Sequence, residues 1–227
     1  MPNKQAILWT LLLLLVSIYF FGMTDVDISL QDYFYQISTH TWVLDTNAQP
    51  WHFIFYTGIK KLLITVGVGF LIVFIFFRTS PHIKAYKQGL LVVILSAIFV
   101  PTITGGLKKT TNMPCPKDEI HYGGTYPRTA VWESYSKALA AKPNIACWPA
   151  GHASGGFALM ALFFLFKRKR NQYLALTFAL LTGWSMGLYK MMIGDHFFSH
   201  TWISMLLAWL IILLLQSSVT YFYTKKR

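Results

Sequence analysis

The chain has 227 residues, of which 55% are hydrophobic, 17% aromatic and only 12% charged. A soluble domain carries about a quarter charged residues, so this composition excludes an ordinary soluble domain and indicates a protein that crosses a membrane several times. The formal net charge of +12 does not indicate nucleic-acid binding, because the basic residues lie between apolar runs and form no patch on a soluble domain.

Six apolar segments are long enough, or nearly so, to cross about 30 Å of hydrocarbon as helices. They are residues 6–22, 59–77, 89–106, 150–166, 173–189 and 201–219. The first follows Lys4 as the core of a signal peptide would, but no small-x-small cleavage pattern comes after it, and we interpret it as a retained helix. The sequence therefore predicts an all-α fold, a six-transmembrane helical bundle that forms one domain over residues 1–227.

The loops between these segments divide the charges into two classes. In one set of loops every charged residue is basic, with the densest cluster from Lys167 to Arg170. All eight acidic residues lie in the other set. The positive-inside rule assigns the first set to the cytoplasm. Both termini are then predicted to be cytoplasmic, and residues 108–149 and 190–200 are predicted to face the outside.

The outer segment 23–58 has a mixed character. Leu30 and Phe34 lie at helical spacing among polar residues, which predicts an amphipathic helix on the membrane surface. Trp42 and Trp51 fit the belt of aromatic side chains that packs at the interface between hydrocarbon and water.

The long outer loop 108–149 is rich in proline and glycine, which predicts an ordered loop with one short helix around residues 130–141. Both cysteines, Cys115 and Cys147, lie in this loop. An oxidising outer compartment favours a disulfide between them, and the alternative is two free thiols. A disulfide would tie the beginning of the loop to its end.

The outer ends of the third to sixth segments carry polar residues at a similar depth: Lys108, Lys109, His152, Lys190, Asp195, His196 and His200. A single lysine at such a position usually only anchors its helix, but three histidines together with lysines indicate a site. Phosphate groups need fixed positive charge and N–H donors, and the helix that begins near Gly151 offers backbone N–H groups. One histidine can attack phosphorus while another protonates the leaving oxygen, so the pattern favours phosphoryl transfer.

Three stretches carry this pattern in a fixed order. Lys108 is followed by Cys115-Pro116, then Pro149 leads to His152, and Lys190 is followed by His196 and His200. These stretches resemble the motifs of the type 2 phosphatidic acid phosphatase superfamily, which also contains the vanadium haloperoxidases. The pattern of that family is Lys-x6-Arg-Pro, then Pro-Ser-Gly-His, then Ser-Arg-x5-His-x3-Asp. The motif-bearing core covers about residues 105–219.

The resemblance implies an integral-membrane lipid phosphatase that hydrolyses a phosphate monoester or diphosphate of a lipid. His196 would be the nucleophile that forms a phosphohistidine, and His152 the general acid and later the base. Lys108, Lys190 and the backbone at Gly151 would bind the phosphate. The family needs no metal or other cofactor for this hydrolysis. The expected location is the bacterial inner membrane, with the active site facing the periplasm and with the bilayer and the lipid substrate as partners.

The chain departs from the family pattern at several phosphate-binding positions. Cys115 replaces an arginine, Lys190 replaces another, and Ala150 replaces the serine. A lysine keeps the charge of an arginine but lacks its planar fork. Arg128, farther along the outer loop, is predicted to fold back and replace the lost arginine, with Lys117 as the alternative.

The position of the family's aspartate is occupied by His200. Residues 196 and 200 share one face of a helix, so His200 is predicted to hold the second ring nitrogen of His196. A neutral imidazole stabilises an imidazolium less than a carboxylate does. Asp195 is the alternative orienting residue, although it points about 100° away on a helix.

Three alternatives to a phosphatase remain open at the level of sequence. One is a lipid phosphotransferase that uses the same site, and another is a degenerate phospholipid-binding or transport protein. The third is a metal site formed by His196 and His200 with His152 or Asp195. Retention of both His152 and His196 argues for an enzyme, because binding alone requires neither a nucleophile nor an acid.

Overall fold

The computed structural model describes residues 4–135 and 145–225, and it is built almost entirely of helices. They are α1 (Lys4–Met23), α2 (Val26–Gln31), α3 (a π-helical turn Phe53–Gly58 that continues as Ile59–Phe77), α4 (Pro81–Lys84), α5 (Lys87–Lys108), α6 (Gly151–Phe157, continuing as a 3-10 helix Ala158–Phe164), α7 (Lys169–Met192) and α8 (Phe198–Lys225). An antiparallel pair of short strands, β1 (Tyr35–Gln36) and β2 (Thr41–Trp42), forms the sheet of the described residues. The prediction of an all-α fold is confirmed.

Four of the described helices, α1, α3, α5 and α8, are long and apolar enough to cross a membrane. Their outward side chains are apolar, and Leu8, Leu62 and Phe76 are 63%, 61% and 72% exposed. Such surfaces suit contact with lipid chains. The remaining two predicted spans correspond to α6, which is apolar but shorter, and to α7. Six spans and cytoplasmic termini therefore stay predictions.

The core lies where α5, α6, α7 and α8 pack together. Val100, Phe157, Ala179 and Ile212 are fully or almost fully buried there. Small residues allow the close approach of α6 and α7, since a Cβ atom on Gly156 would lie 2.8 Å from the Cα atom of Gly183. This packing holds the ends of α5, α6 and α7 near one another at one face of the bundle.

The segment that follows α1 caps the bundle with a shorter helix than the sequence predicts. Asp27 accepts a hydrogen bond from the backbone N–H of Ser199 at 2.8 Å, and Gln31 donates one to the carbonyl of Met191 at 2.8 Å. Polar side chains of α2 thus form hydrogen bonds with a free backbone N–H group at the beginning of α8 and a free carbonyl at the end of α7. Beyond Phe34 the chain turns into the strand pair, because Tyr35 packs on Trp42 with ring centroids 4.7 Å apart.

The short helix predicted around residues 130–141 falls partly outside the described residues. Residues 130–135 form a turn and irregular backbone. The cysteine pair is joined by a disulfide, with the Cα atoms of Cys115 and Cys147 5.3 Å apart. The disulfide connects the chain that leaves α5 to the chain that enters α6, so both ends of the outer loop are held at the same face.

Candidate active site

A cavity of about 890 Å³ opens at the face where α5, α6 and α7 end or begin. Its outer end is lined by charged and histidine side chains, namely Lys108, Lys117, His152, Lys190, Asp195 and His196. The three stretches singled out in the sequence therefore meet in one place. Gly151 also lines the cavity, at the first residue of α6.

The inner part of the cavity is an apolar groove between α3 and α5. Leu63, Gly67 and Leu71 line one side, and Val93 and Ala97 line the other. From Tyr56 to Leu71 the wall formed by α3 extends for fifteen residues, or about 22 Å at the rise of a helix. The apolar part of this wall, from Leu63 to Leu71, accounts for eight residues or about 12 Å, so the groove reaches into a hydrocarbon layer of about 30 Å without crossing it.

His196 lies in a tight turn after α7. Gly194 adopts the left-handed conformation with φ of 74°, and a side chain here would be strained and would also collide with Trp42. The turn is closed by the carbonyl of Lys190, which accepts hydrogen bonds from the backbone N–H groups of Asp195 and His196 at 2.8 and 3.3 Å. The helix end thus fixes the direction of His196.

The Nδ1 atom of His196 lies 3.3 Å from the Nδ1 atom of His200. His196 lines the cavity and is 4% exposed, whereas His200 is fully buried behind it. Burial lowers the pKa of His196 well below its usual value, and His200, Lys108 and Lys190 lower it further. His196 is therefore neutral near pH 7, and Nε2 is the ring nitrogen that His200 does not contact.

His152 is held at the opposite side of the cavity mouth by α3. Its Nε2 atom donates a hydrogen bond to the carbonyl of Phe55 at 3.1 Å, and its ring packs on Tyr56 with centroids 4.5 Å apart. The acceptor is a carbonyl, so Nε2 carries the proton in this arrangement. To act as an acid the ring must be protonated on both nitrogens, and it can then donate from Nδ1 while Nε2 stays on Phe55, or from Nε2 after that bond is broken.

Asp195 joins two lysines from different parts of the chain. Its Oδ1 atom lies 2.7 Å from Nζ of Lys117, and its Oδ2 atom lies 2.6 Å from Nζ of Lys190. The ammonium of Lys190 also sits 4.2 Å from the ring centroid of Tyr56. Burial raises the pKa of Asp195, but Lys190 and Lys117 more than offset this and hold the pKa below its usual value.

Two predictions about charged residues need correction. Arg128 pairs with Asp25 and with the carbonyl of Thr24, and it does not line the cavity. The sequence does not show which acidic residue a loop arginine will contact, and here the partner is Asp25, in the segment after α1. The alternative candidate, Lys117, does line the cavity. Asp195, the alternative partner of His196, contacts the lysines instead.

The described residues contain one group of three possible metal ligands, Cys147, His196 and His200, whose ligand atoms lie within 4.8 Å of one another. Cys147 is part of the disulfide, and a disulfide sulfur is not the thiolate that metals prefer. The group does not contain His152 or Asp195, which the sequence offered as completing ligands. Two imidazoles remain, fewer than the ligand sets of known zinc sites.

The contribution of α3 was not foreseen from the sequence. Its first turn supplies the carbonyl of Phe55 and the ring of Tyr56, and Lys60 follows one turn later in the cavity wall. An aromatic and basic cluster at the outer end of the second apolar segment was the available signal. It did not stand out, because the same residue types commonly anchor helices at the interface.

Comparison with known proteins gives one match. A family model described as the PAP2 superfamily matches residues 89–224. This range covers nearly all of α5 to α8 and includes every residue of the cavity's outer end except those supplied by α3. No match was found among curated proteins or solved structures.

Proposed function

The chain belongs to the PAP2 superfamily, and from this premise we propose that it is a membrane lipid phosphatase that works through a phosphohistidine on His196. Membership indicates phosphatase-type activity on phosphate esters. The observation that carries the finer proposal is the continuous cavity. It joins a cationic, histidine-containing end to an apolar groove.

A lipid is the substrate class that fits both parts of the cavity. The outer end offers the ammonium groups of Lys108, Lys117 and Lys190 against the single carboxylate of Asp195, and it therefore attracts a phosphate dianion. The groove offers apolar walls to a hydrocarbon chain, whose transfer from water is favourable but which a soluble phosphate ester lacks. A lipid phosphate occupies both parts at once.

The reaction proceeds in two steps. In the first, Nε2 of His196 attacks phosphorus, the bond between phosphorus and the lipid oxygen breaks, and the imidazolium form of His152 gives a proton to that oxygen and becomes neutral. In the second, water attacks the phosphohistidine, His152 takes a proton from the water, and inorganic phosphate leaves. The lysines stabilise the charge that builds up on the phosphoryl oxygens in both steps.

The partner of His196 limits this chemistry. Attack by Nε2 requires the proton of His196 to be on Nδ1, from which it is donated to Nδ1 of His200. His200 must then carry its own proton on Nε2, which is buried and has no hydrogen-bond partner among the described residues. The reactive tautomer is therefore less favoured than it would be with a carboxylate at position 200.

The site lies on the side of the membrane opposite to the basic loops. The distribution of basic residues supports an extracytoplasmic site and cytoplasmic termini. The disulfide between Cys115 and Cys147 at the rim of the cavity is consistent with an oxidising compartment. In a bacterium this location is the periplasmic face of the inner membrane.

Phosphate release from a panel of substrates tests the proposal. Detergent-purified protein is incubated with phosphatidic acid, phosphatidylglycerol phosphate, a polyprenyl diphosphate and lipid A, and with glycerol 3-phosphate as a substrate without a chain. We expect release from at least one lipid, little from glycerol 3-phosphate, no release by His196→Ala, and no effect of EDTA. Transfer of phosphate to a second lipid would favour the phosphotransferase, and loss of activity in EDTA would contradict a metal-free reaction.

A further inference from the structure

Asp195 stands at the centre of the cationic end of the cavity, although it is not a nucleophile, an acid or a ligand in the reaction proposed above. Each of its carboxylate oxygens holds one lysine, Lys117 at 2.7 Å and Lys190 at 2.6 Å. The two lysines come from different parts of the chain. Lys117 lies in the loop after α5, and Lys190 lies in the last turn of α7.

The two lysines differ in how firmly the rest of the protein holds them. The side chain of Lys190 is 11% exposed and its ammonium lies against the face of Tyr56. The side chain of Lys117 is 45% exposed, although its backbone N–H donates to the carbonyl of Gly194 at 3.0 Å. The ammonium of Lys117 is therefore directed into the cavity mainly by Asp195.

The bridge compensates for a known weakness of lysine as a phosphate ligand. An arginine presents two N–H groups in a rigid plane, whereas a lysine is a single charge on a flexible chain. Two lysines tied to one carboxylate present two ammonium groups at a fixed separation. Each ammonium has three N–H donors and gives one to Asp195, so donors remain for a phosphate.

We propose that Asp195 is a positioning residue that fixes Lys117 and Lys190 as a two-pronged clamp for the phosphate of the substrate. This inference rests on the proposed function, because it concerns the same site. The clamp replaces the bidentate arginine whose family position is occupied by Cys115. Asp195 itself does not contact the reacting atoms.

A simpler role for Asp195 makes the opposite prediction. A carboxylate beside an anion site repels the anion, so its removal should strengthen phosphate binding if repulsion were its main effect. If positioning dominates, its removal releases Lys117 into water, and phosphate binding weakens. The sign of the change in phosphate affinity therefore separates the two roles.

The experiment measures binding of inorganic phosphate to the full chain in detergent by calorimetric titration, which does not depend on turnover. The variants are Asp195→Asn, Lys117→Met and the double substitution. Asp118→Asn is the matched control, since it removes the same charge next to Lys117, and Asp118 forms no ion pair among the residues that the structure describes. Asp195→Glu, which keeps the charge but displaces the oxygens, replaces Asp195→Asn if that variant does not fold.

We expect Asp195→Asn to weaken phosphate binding about tenfold, the scale of one lost charge-assisted hydrogen bond. Lys117→Met should weaken binding in the unaltered protein and have little further effect in Asp195→Asn, because the lysine is already displaced. Asp195→Glu should show a smaller loss with the same coupling, and Asp118→Asn should bind like the unaltered protein. Tighter binding by Asp195→Asn, or an undiminished effect of Lys117→Met in its background, overturns the clamp alone. No phosphate binding by the unaltered protein overturns the proposed function and the clamp together.

Discussion

At the scale of single residues, the site combines two histidines that keep the family pattern with neighbours that depart from it. His196 and His152 retain the types needed for attack on phosphorus and for proton transfer. His200 and Cys115 occupy positions where the family has an aspartate and an arginine. The proposed nucleophile, His196, is therefore a buried side chain next to a cationic end built from lysines.

The role of His152 as proton donor can be tested with the leaving group. We expect His152→Gln to lower kcat/KM for an alkyl phosphate lipid by about 10²–10⁴-fold, the usual contribution of a general acid. For an aryl ester with a nitrophenol leaving group the loss should be much smaller, because nitrophenolate leaves without a proton. Equal losses for both substrates, measured by steady-state kinetics, would contradict the assignment.

A carboxylate at position 200 should change the pH dependence of the reaction. His196 contacts the imidazole of His200. An aspartate at position 200 would favour the charged form of His196 and raise its pKa. His196 must be unprotonated to attack, so the acid limb of the kcat/KM profile should move to higher pH in His200→Asp, by about one unit or more. An unshifted limb in a variant that keeps its thermal stability would show that His200 does not contact the nucleophile in the working enzyme.

At the scale of elements, α3 has an unusual position. It has no buried residue, yet it provides one wall of the cavity and contacts both His152 and Lys190 through its first turn. The other walls belong to α5, α6 and α7, which pack tightly on one another. The groove therefore lies between a firmly packed part of the bundle and a helix that faces outward on most of its surface.

The groove can be narrowed without touching the polar end. Gly67 lines the cavity, and a Cβ atom added there would lie 3.9 Å from the Cβ atom of Ala97, so Gly67→Leu fits and fills the groove. We expect it to raise KM for a long-chain lipid phosphate about tenfold, the effect of displacing about two buried CH₂ groups. A soluble aryl phosphate should be unaffected.

Gly69→Leu is the matched control for this substitution. Gly69 lies on the same helix, has no atom within 4 Å of an added Cβ and does not line the cavity. The two variants carry the same change in helix propensity and hydrophobicity. If Gly67→Leu and Gly69→Leu had equal KM values for the lipid, the groove would not be the binding site of the chain.

At the scale of the whole molecule, the sequence predicted which residues share the cavity but not the long-range hydrogen bonds that position them. The spacing of the motifs predicted that Lys108, His152, Lys190 and His196 share one site, and all four line one cavity. These residues lie at or near the ends of helices, so their depth could be read from the apolar runs. Periodicity predicted the long helices for the same reason.

Contacts between distant segments could not be predicted in this way. The hydrogen bond between His152 and Phe55 spans 97 positions, and the one between Ser199 and Asp27 spans 172. Neither leaves a local pattern, because the polar partner is a backbone group or a single side chain in a loop. Arg128 was misplaced for the same reason, since its charge gave no information about which partner it would find.

The stability of the loop after α5 should depend on pH through Glu119. Glu119 is 1% exposed, one of its carboxylate oxygens has no partner among the described residues, and burial raises its pKa from 4.5 to about 8. The folded state therefore binds the proton more tightly than the unfolded state. Its contribution to stability is present below pH 4.5 and is lost as the pH rises to about 8.

We accordingly expect Glu119→Gln to flatten the fall in Tm between pH 5 and pH 8, since a neutral amide does not have to be ionised in the buried site. The variant should be more stable than the unaltered protein at pH 8 and similar to it at pH 5. The measurement is thermal unfolding in detergent across this pH range. A parallel fall in Tm for both proteins would show that another group dominates the pH dependence.

We propose above that the phosphoryl group is transferred to His196 to form a covalent phosphohistidine. Trapping this intermediate tests the proposal most directly. The purified protein is mixed with a lipid labelled in its phosphate, quenched within milliseconds in alkali, and digested, and the labelled peptide is sequenced by mass spectrometry. We predict an alkali-stable, acid-labile phosphate on His196, which forms in the presence of EDTA and is absent from His196→Gln. Rapid phosphate release with no label on His196 would contradict it.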